Sequence, residues 1–257
     1  MHIITLISDW GLKDHYISAV KGVIYKLLPD VNVVDISHEI SRFNFDEAGF
    51  VLKNAFPNFP DGTVHIIGVN EIASKDNPHL AIKYHNQFFI GADNGIFPKI
   101  FDKKPEIIIE IQKYSDTNYF TFPTRDIFAK CAVHLSLGKP IEELGIKLSK
   151  MENWLFIHPQ NTEDSINGTV IYVDKFENLV TNISSELFRK VAKGRKPYIS
   201  LNSYDFSEIH KSYSDVGVAD PVALFGSHGF LEIALFNANA SSLLGITVGN
   251  TIRIEFE

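Results

Sequence analysis

The chain has 257 residues and a single cysteine, Cys131. One thiol excludes an internal disulfide framework and any cysteine-built metal cage. No apolar run reaches membrane-spanning length, and the opening MHIITLIS has no basic segment followed by a long apolar stretch. Neither a spanning helix nor a secretory leader is therefore expected, and the expected location is cytoplasmic. Lysine and arginine number 24 against 31 acidic residues, giving a net charge of −7 with no basic cluster, so no nucleic-acid partner is expected. The phosphate-binding patterns G-x-G-x-x-G and G-x-x-x-x-G-K-[ST] are missing, which disfavours dehydrogenases and P-loop kinases. Ten histidines are scattered without H-E-x-x-H or H-x-H, so no metal hydrolase centre is expected.

What remains is an ordinary globular composition, long enough for one large domain or two moderate ones. The organising stretch is the first strand, Ile3 to Ser8, and the turn Asp9-Trp10-Gly11-Leu12-Lys13-Asp14 after it. A carboxylate at the carboxyl end of a strand, just before a helix, lies where open α/β sheets bind ligands. Asp9 and Asp14 suit hydroxyls or a cation, while Asp9 equally suits capping of the next helix. Tyr16, Val20, Val23, Ile24 and Leu27 recur at helical spacing, and a strand is expected from Val31 to Ile36. Asn44 and Glu47 stand at capping-box spacing before a helix carrying Ala48, Val51, Leu52 and Ala55.

Strands are expected at Thr63–Val69, Leu80–Tyr84 and Gln87–Gly91, the last two joined as a hairpin by His85-Asn86. Helices are expected from Asp93-Asn94-Gly95 and from Arg125-Asp126 to Leu135, with a strand at Ile107–Ile111 between them. This alternation predicts an α/β N-terminal domain with a mostly parallel sheet. Residues from Ser149 to Asn167 read as irregular. Short β patterns follow at Thr169–Val173, Tyr198–Leu201, Val222–Phe225, Leu231–Leu235 and Ile252–Phe256, predicting a smaller all-β barrel. The expected domains are 1–158 and 159–257.

Several stretches in succession resemble one family. They are the S-D-W-G-L-K-D opening, Lys21-Gly22-Val23, Asp35-Ile36-Ser37-His38-Glu39-Ile40, Gly91-Ala92-Asp93-Asn94-Gly95 and Arg125-Asp126-Ile127-Phe128-Ala129. The second half adds Asp174 to Ile183 (DKFENLVTNI) and Gly226 to Ala234 (GSHGFLEIA). The family is that of the S-adenosylmethionine (SAM) hydroxide adenosyltransferases, with their relatives the SAM-dependent fluorinases and chlorinases. The resemblance implies an α/β domain followed by a β-barrel domain in a homotrimer, with each site shared between neighbouring subunits. It implies displacement at the ribose 5′ carbon of SAM by water or halide, with methionine leaving and no cofactor beyond SAM as substrate. By resemblance, Asp9 holds the ribose hydroxyls, and Asp14 and Asp174 receive the methionine ammonium. Phe43, Phe176 and Tyr213 surround the sugar and adenine, Asn178 meets the adenine edge, and Asn237 supplies a backbone contact to it. Ser227 and His228 correspond to residues near the methionine carboxylate; the family often has Arg where His228 stands, and a neutral imidazole grips an anion less firmly. From the residues alone, Asp174 suits a turn cap, Asn178 a turn and Phe176 a core position equally well.

The nucleophile's side departs from the family. Water-using members carry an Asp, an Arg seven residues later, and a His in T-F-H-G-R-D. Here those places are taken by Asn70, Asn77 and Pro123. General-base help is worth about 10²- to 10⁴-fold, and neither Asn nor Pro supplies it. Thr124 stands where halide-using members place Ser or Gly, so it lines the nucleophile's pocket by resemblance. Glu71 and His79 lie in the altered loop, either as the replacement base or as exposed loop residues. Water attack giving adenosine and L-methionine is the expected reaction, with Asn70, Glu71 and Thr124 as candidate catalytic residues. Binding of SAM or adenosine without turnover, or use of halide, are the alternatives.

Overall fold

The computed structural model describes residues 2–74, 76–114, 121–151, 158–202 and 204–257. The chain divides into two units, residues 1–156 and 157–257. In the first, β1 (His2–Ser8), α1 (Tyr16–Leu27), β2 (Val31–Ser37), α2 (Phe45–Ala55) and β3 (Val64–Gly68) alternate as the periodicity predicts. There follow β4 (His79–Tyr84), β5 (Gln87–Ala92), the short α3 (Phe97–Ile100) and β6 (Ile107–Ile111). A π-helical turn, Thr124–Phe128, runs straight into α4 (Ala129–Ser136), and β7 (Gly145–Lys147) closes the sheet.

The sheet order is β2-β1-β3-β5-β4-β6-β7. β1 is parallel to β2 and β3, and β3 to β5, but β4–β5, β4–β6 and β6–β7 are antiparallel. The sheet is therefore mixed, which corrects the expectation of a mostly parallel one. The cause is local: His85 and Asn86, at φ +48° and +59°, make a two-residue turn. A tight turn returns the chain antiparallel, whereas parallel neighbours need a crossover.

Alternation along the strands fills both faces. Ile4, Leu6, Ile66 and Ile90 pack with Val20 and Ile24 of α1 and Ala132 and Leu135 of α4. Ile7, Ile67 and Phe89 pack with Leu52 of α2 and Phe97 and Ile100 of α3. A buried polar line crosses the sheet: Thr5 Oγ1 lies 2.7 Å from His65 Nδ1, and His65 Nε2 lies 2.6 Å from Gln87 Oε1. Gln87 Nε2 donates to the carbonyls of Phe56 and Phe59, so its oxygen accepts from His65 Nε2. Burial holds His65 down at about 4, neutral at physiological pH. At α2 the cap forms as expected, Asn44 Oδ1 accepting from Glu47 N at 3.0 Å. The return bond from Glu47 goes to Ser41 N instead of to Asn44 N.

The second unit contains β8 (Gln160–Asn161), β9 (Ser165–Val173), β10 (Leu179–Ser184), α5 (Ser185–Ala192), β11 (Pro197–Leu201) and β12 (Tyr204–Phe206). β13 (Pro221–Phe225), β14 (Phe230–Leu235), α6 (Ala240–Leu244) and β15 (Thr251–Phe256) complete it. Its strands pair antiparallel in the order β12-β11-β15-β9-β10-β14-β13, with β8 on β9, forming a barrel-like sheet. Ile252, Ile254 and Phe256 turn into the core while Thr251, Arg253 and Glu255 face out, the signature of a sheet wet on one side. Of the stretch expected to be irregular, residues 152–157 lie outside the described residues, and β8 and the start of β9 at Ser165 fall within the rest.

Candidate active site

In the first unit the site is built on the turn after β1. Gly11, at φ +67°, donates its N–H to the His38 carbonyl at 2.8 Å, tying this turn to the one after β2. A hydrogen-bonded chain that runs from the buried Ser8 and His38 out to the surface underlies the same junction. Ser8 Oγ lies 2.6 Å from His38 Nδ1, His38 Nε2 lies 3.0 Å from Asp35 Oδ1, and Lys21 Nζ donates to Asp35 Oδ2 at 2.6 Å. Burial raises the Asp35 carboxyl, but Lys21 and His38 outweigh it and hold the group below its ordinary value. Asp9 is thereby set on a braced turn. Its Oδ2 accepts from Phe43 N at 2.8 Å, and Phe43, at φ +61°, leaves its ring 67 % exposed beside it. Helix α1 has His15 at its N-cap and no side-chain cap bond, so Asp9 does not cap it. Asp9, Trp10, His38 and residues 39–42 line a cleft of about 250 Å³.

The carboxyl end of β3 supplies a second carboxylate. A Cβ on Gly68 would come within 2.5 Å of the Trp10 ring and 3.1 Å of Thr124 Oγ1, so only glycine permits this approach. Just beyond, Asn94 Nδ2 donates to the carbonyls of both Val69 and Asn70, and His79 Nε2 donates to the Glu71 carbonyl at 2.8 Å. Asn70 takes φ +46°, and the following side chain, Glu71, turns inward to 8 % exposure. Thr124 Oγ1, at the head of the π-helical turn and fully buried, donates to Glu71 Oε2. Burial, then the charge of Asp9, and beyond them Asp126, push the Glu71 carboxyl up to about 8, with a hydrogen bond from Thr124 opposing them. Burial also lowers His79. Neither Glu71 nor His79 is the exposed loop residue that the sequence left open.

The second unit holds its polar cluster on the β9–β10 turn and on β14. Asp174 Oδ1 accepts from the N–H groups of Phe176 and Asn178 at 2.9 and 2.8 Å, and Oδ2 accepts from Asn178 Nδ2 at 3.0 Å. Asp174 therefore does cap a turn, and that turn presents the Phe176 ring 75 % exposed, outside the core. Tyr213 stands on a short 3₁₀ turn capped by Ser212 and Asp215, and its hydroxyl donates to Glu232 Oε1 at 2.6 Å. His228 Nδ1 accepts from Phe230 N, which leaves the proton on Nε2, 3.1 Å from Glu232 Oε2. Gly226 lies against this pair, with room for no Cβ. Burial and Glu232 raise the Tyr213 hydroxyl, with Asp174 adding to the effect.

Residues 4–145 match the model of the SAM hydroxide adenosyltransferase N-terminal domain, and residues 168–253 match that of its C-terminal domain. The chain belongs to the SAM hydroxide adenosyltransferase family. It is 28% identical to an (R)-S-adenosyl-L-methionine hydrolase of Methanocaldococcus jannaschii, over 99% of this chain and 96% of that protein. It is 24% identical to a fluorinase of Actinopolyspora mzabensis, over 98% of this chain and 96% of that one. The crystal structure of an uncharacterized conserved protein from Thermotoga maritima is similar at TM-score 0.88 and 33% identity, covering 98% of this chain and 99% of that chain.

Within this hydroxide adenosyltransferase the expected residues fall into bonded groups and isolated ones. Asp9 meets Phe43, Glu71 meets Thr124, and Asp174 meets Phe176 and Asn178, while Tyr213 and His228 meet through Glu232. Asp14 stands exposed before α1, Ser227 is exposed between β13 and β14, and Asn237, at φ +54°, is exposed after β14. Asn70 contributes its backbone turn. Glu232 was given no role by sequence reasoning, although it sits inside the G-S-H-G-F-L-E-I-A stretch as a lone acid in an apolar strand, and that was its signal. The Ser8–His38–Asp35 chain was likewise missed, because Ser8 lies thirty residues before His38 in sequence. Among the described residues no cluster of His, Cys, Asp and Glu could hold a metal ion, and no helix is long and apolar enough to cross a membrane.

Proposed function

We propose that this chain hydrolyses S-adenosylmethionine, water displacing methionine at the ribose 5′ carbon to give adenosine and L-methionine. Family membership across both units carries the reading, and the Asp9 carboxylate at the edge of β1 supports it. A sulfonium is already a good leaving group, so alignment and desolvation of the reactants are the protein's main task. In this reading Asp9 holds the ribose hydroxyls and Asp14 and Asp174 receive the ammonium. Phe43, Phe176 and Tyr213 flank the sugar and adenine, the exposed rings beside Asp9 and Asp174 being suited to it. Asn178 and the Asn237 backbone meet the adenine, Ser227 and His228 lie towards the methionine carboxylate, and Asn70, Glu71 and Thr124 form the nucleophile's side. SAM is the substrate with no further cofactor, and the enzyme is a cytoplasmic homotrimer.

Water is favoured over halide by electrostatics. Glu71 lies within the field of Asp9 and Asp126, and an anionic nucleophile entering that field is repelled. The test is incubation of the protein with SAM, with and without chloride or fluoride, followed by separation of the products. Equal amounts of adenosine and methionine without halide are expected. A halogenated nucleoside, or SAM that binds and stays intact, would overturn the reading. Light scattering on the eluting protein checks the trimer.

A further inference from the structure

We propose that Glu71 accepts the proton of the attacking water and that Thr124 helps hold that water. This rests on the hydrolase reading above. Glu71 is a buried carboxylate at the carboxyl end of β3, on the same sheet edge as Asp9, and its bonding partner is the equally buried Thr124 hydroxyl. The pair is fixed from several sides. Asn94 clamps the backbone just before Glu71, His79 bonds its carbonyl, and Gly68 makes room for Trp10 against Thr124. A buried carboxyl without a cationic partner keeps its proton to higher pH than an exposed one, and no lysine or arginine is paired with Glu71 among the described residues.

The step balances without a further reagent. The water oxygen forms a bond to C5′ and the C5′–S bond breaks, its electron pair staying on the sulfur of methionine. One water proton passes to the Glu71 carboxylate and from there to solvent. The titratable and charged groups that bear on Glu71 are Asp9 from the turn after β1, Asp126 from the π-helical turn and His79 at the head of β4; Asp126 is itself paired with Arg125. With its carboxyl raised to about 8, Glu71 becomes ionised in the pH range where a general base is most effective.

The experiment compares SAM turnover by the full-length protein and by Glu71→Gln, which keeps an acceptor for Thr124 but takes no proton. Wild-type kcat/KM should rise with pH through a midpoint near 8, whereas Glu71→Gln should lose about 10²- to 10⁴-fold in kcat and show no such rise. Its SAM dissociation constant, by calorimetry, should stay within about threefold of wild type, which also shows that it is folded. Thr124→Ser should keep turnover and Thr124→Val should lose it. Glu71→Gln retaining more than about a tenth of kcat, or retaining the pH rise, overturns the assignment while leaving the hydrolase reading intact. A wild-type protein that binds SAM and releases neither product overturns both.

Discussion

Glu71→Gln should alter stability in a pH-dependent way that owes nothing to catalysis. The Glu71 carboxyl is raised from an ordinary 4.5 to about 8, by burial first and by Asp9 next. Below pH 4.5 the folded and unfolded chains both hold the proton, and the two variants should differ little. Between 4.5 and 8 the unfolded chain ionises while the folded one does not, so wild-type stability falls relative to the variant as pH rises. The slope is about 1.4 kcal/mol per pH unit, giving roughly 3 kcal/mol by pH 7 and no more than about 5 above pH 8. That is a large share of the 5 to 15 kcal/mol typical of a folded domain. Urea unfolding of both proteins at pH 4.5, 6, 7 and 8.5 should show the midpoints diverging upward through this range, with Glu71→Gln the more stable. Parallel curves, or a wild type that gains on the variant as pH rises, would refute the account of Glu71 as a buried carboxyl pressed by neighbouring acids.

Other substitutions read the same geometry. Glu232→Ala should destabilise the protein by about 2 to 5 kcal/mol in urea, because it strands the Tyr213 hydroxyl and the His228 Nε2–H. Glu232→Gln should cost only about 1 kcal/mol, since its carbonyl can take His228 while its amide donates to a rotated Tyr213 hydroxyl. Gly68→Ala should drive a methyl into the Trp10 ring and towards Thr124, lowering kcat/KM for SAM at least tenfold by the logic that about 1 Å of misplacement costs as much as 10²; near-ultraviolet circular dichroism should register the moved indole. Asn70→Gly should be tolerated, whereas Asn70→Val should lose about 1 to 2 kcal/mol at its positive φ and release Glu71 from its inward position, seen as loss of the pH-dependent turnover.

Periodicity located most elements of the first unit because β1, β2, β3 and β6 are rich in β-branched residues and α1, α2 and α4 carry regular apolar stripes. Strand direction at β4 followed the His85-Asn86 hairpin that the sequence showed, and the sheet-wide expectation of mostly parallel strands did not carry that reversal through to the antiparallel pairing of β4 with β6. In the second unit α5 went unread. Leu187, Phe188, Val191 and Ala192 do recur at helical spacing, and Ser184 caps the helix by accepting from Leu187 N, but it is a helix of only eight residues directly continuing β10. At the site, Asp9 and Asp174 stand in recognisable local patterns, a strand end and a turn, whereas Tyr213 was singled out by resemblance alone. The burial of Glu71 and His79 was not legible, since loop composition says exposed and only the bonds from Asn94, His79 and Thr124 fold that loop inward. The partners of Glu232 are His228, in the turn just before its strand, and Tyr213, on a separate turn nineteen residues away.

The altered loop is better described as a shift than as a loss. By the resemblance, the family's acid would stand at position 70 and its imidazole at 123; this chain has Asn70 and Pro123 there, with Glu71 and Thr124 one residue further along in each case. A one-residue move ordinarily sends a side chain in a different direction, which would take the acid out of the site. Here the left-handed turn at Asn70 reverses that outcome, since it swings the chain so that the next residue faces inward, and Asn is among the few residues that adopt it at low cost. At the other position Pro123, at φ −59° and ψ −36°, is already helical and starts the π-helical turn whose first residue is Thr124. Proline suits that place because its missing N–H would have had no partner there. Asn70 and Pro123 thus supply the backbone geometry that brings Glu71 and Thr124 into contact.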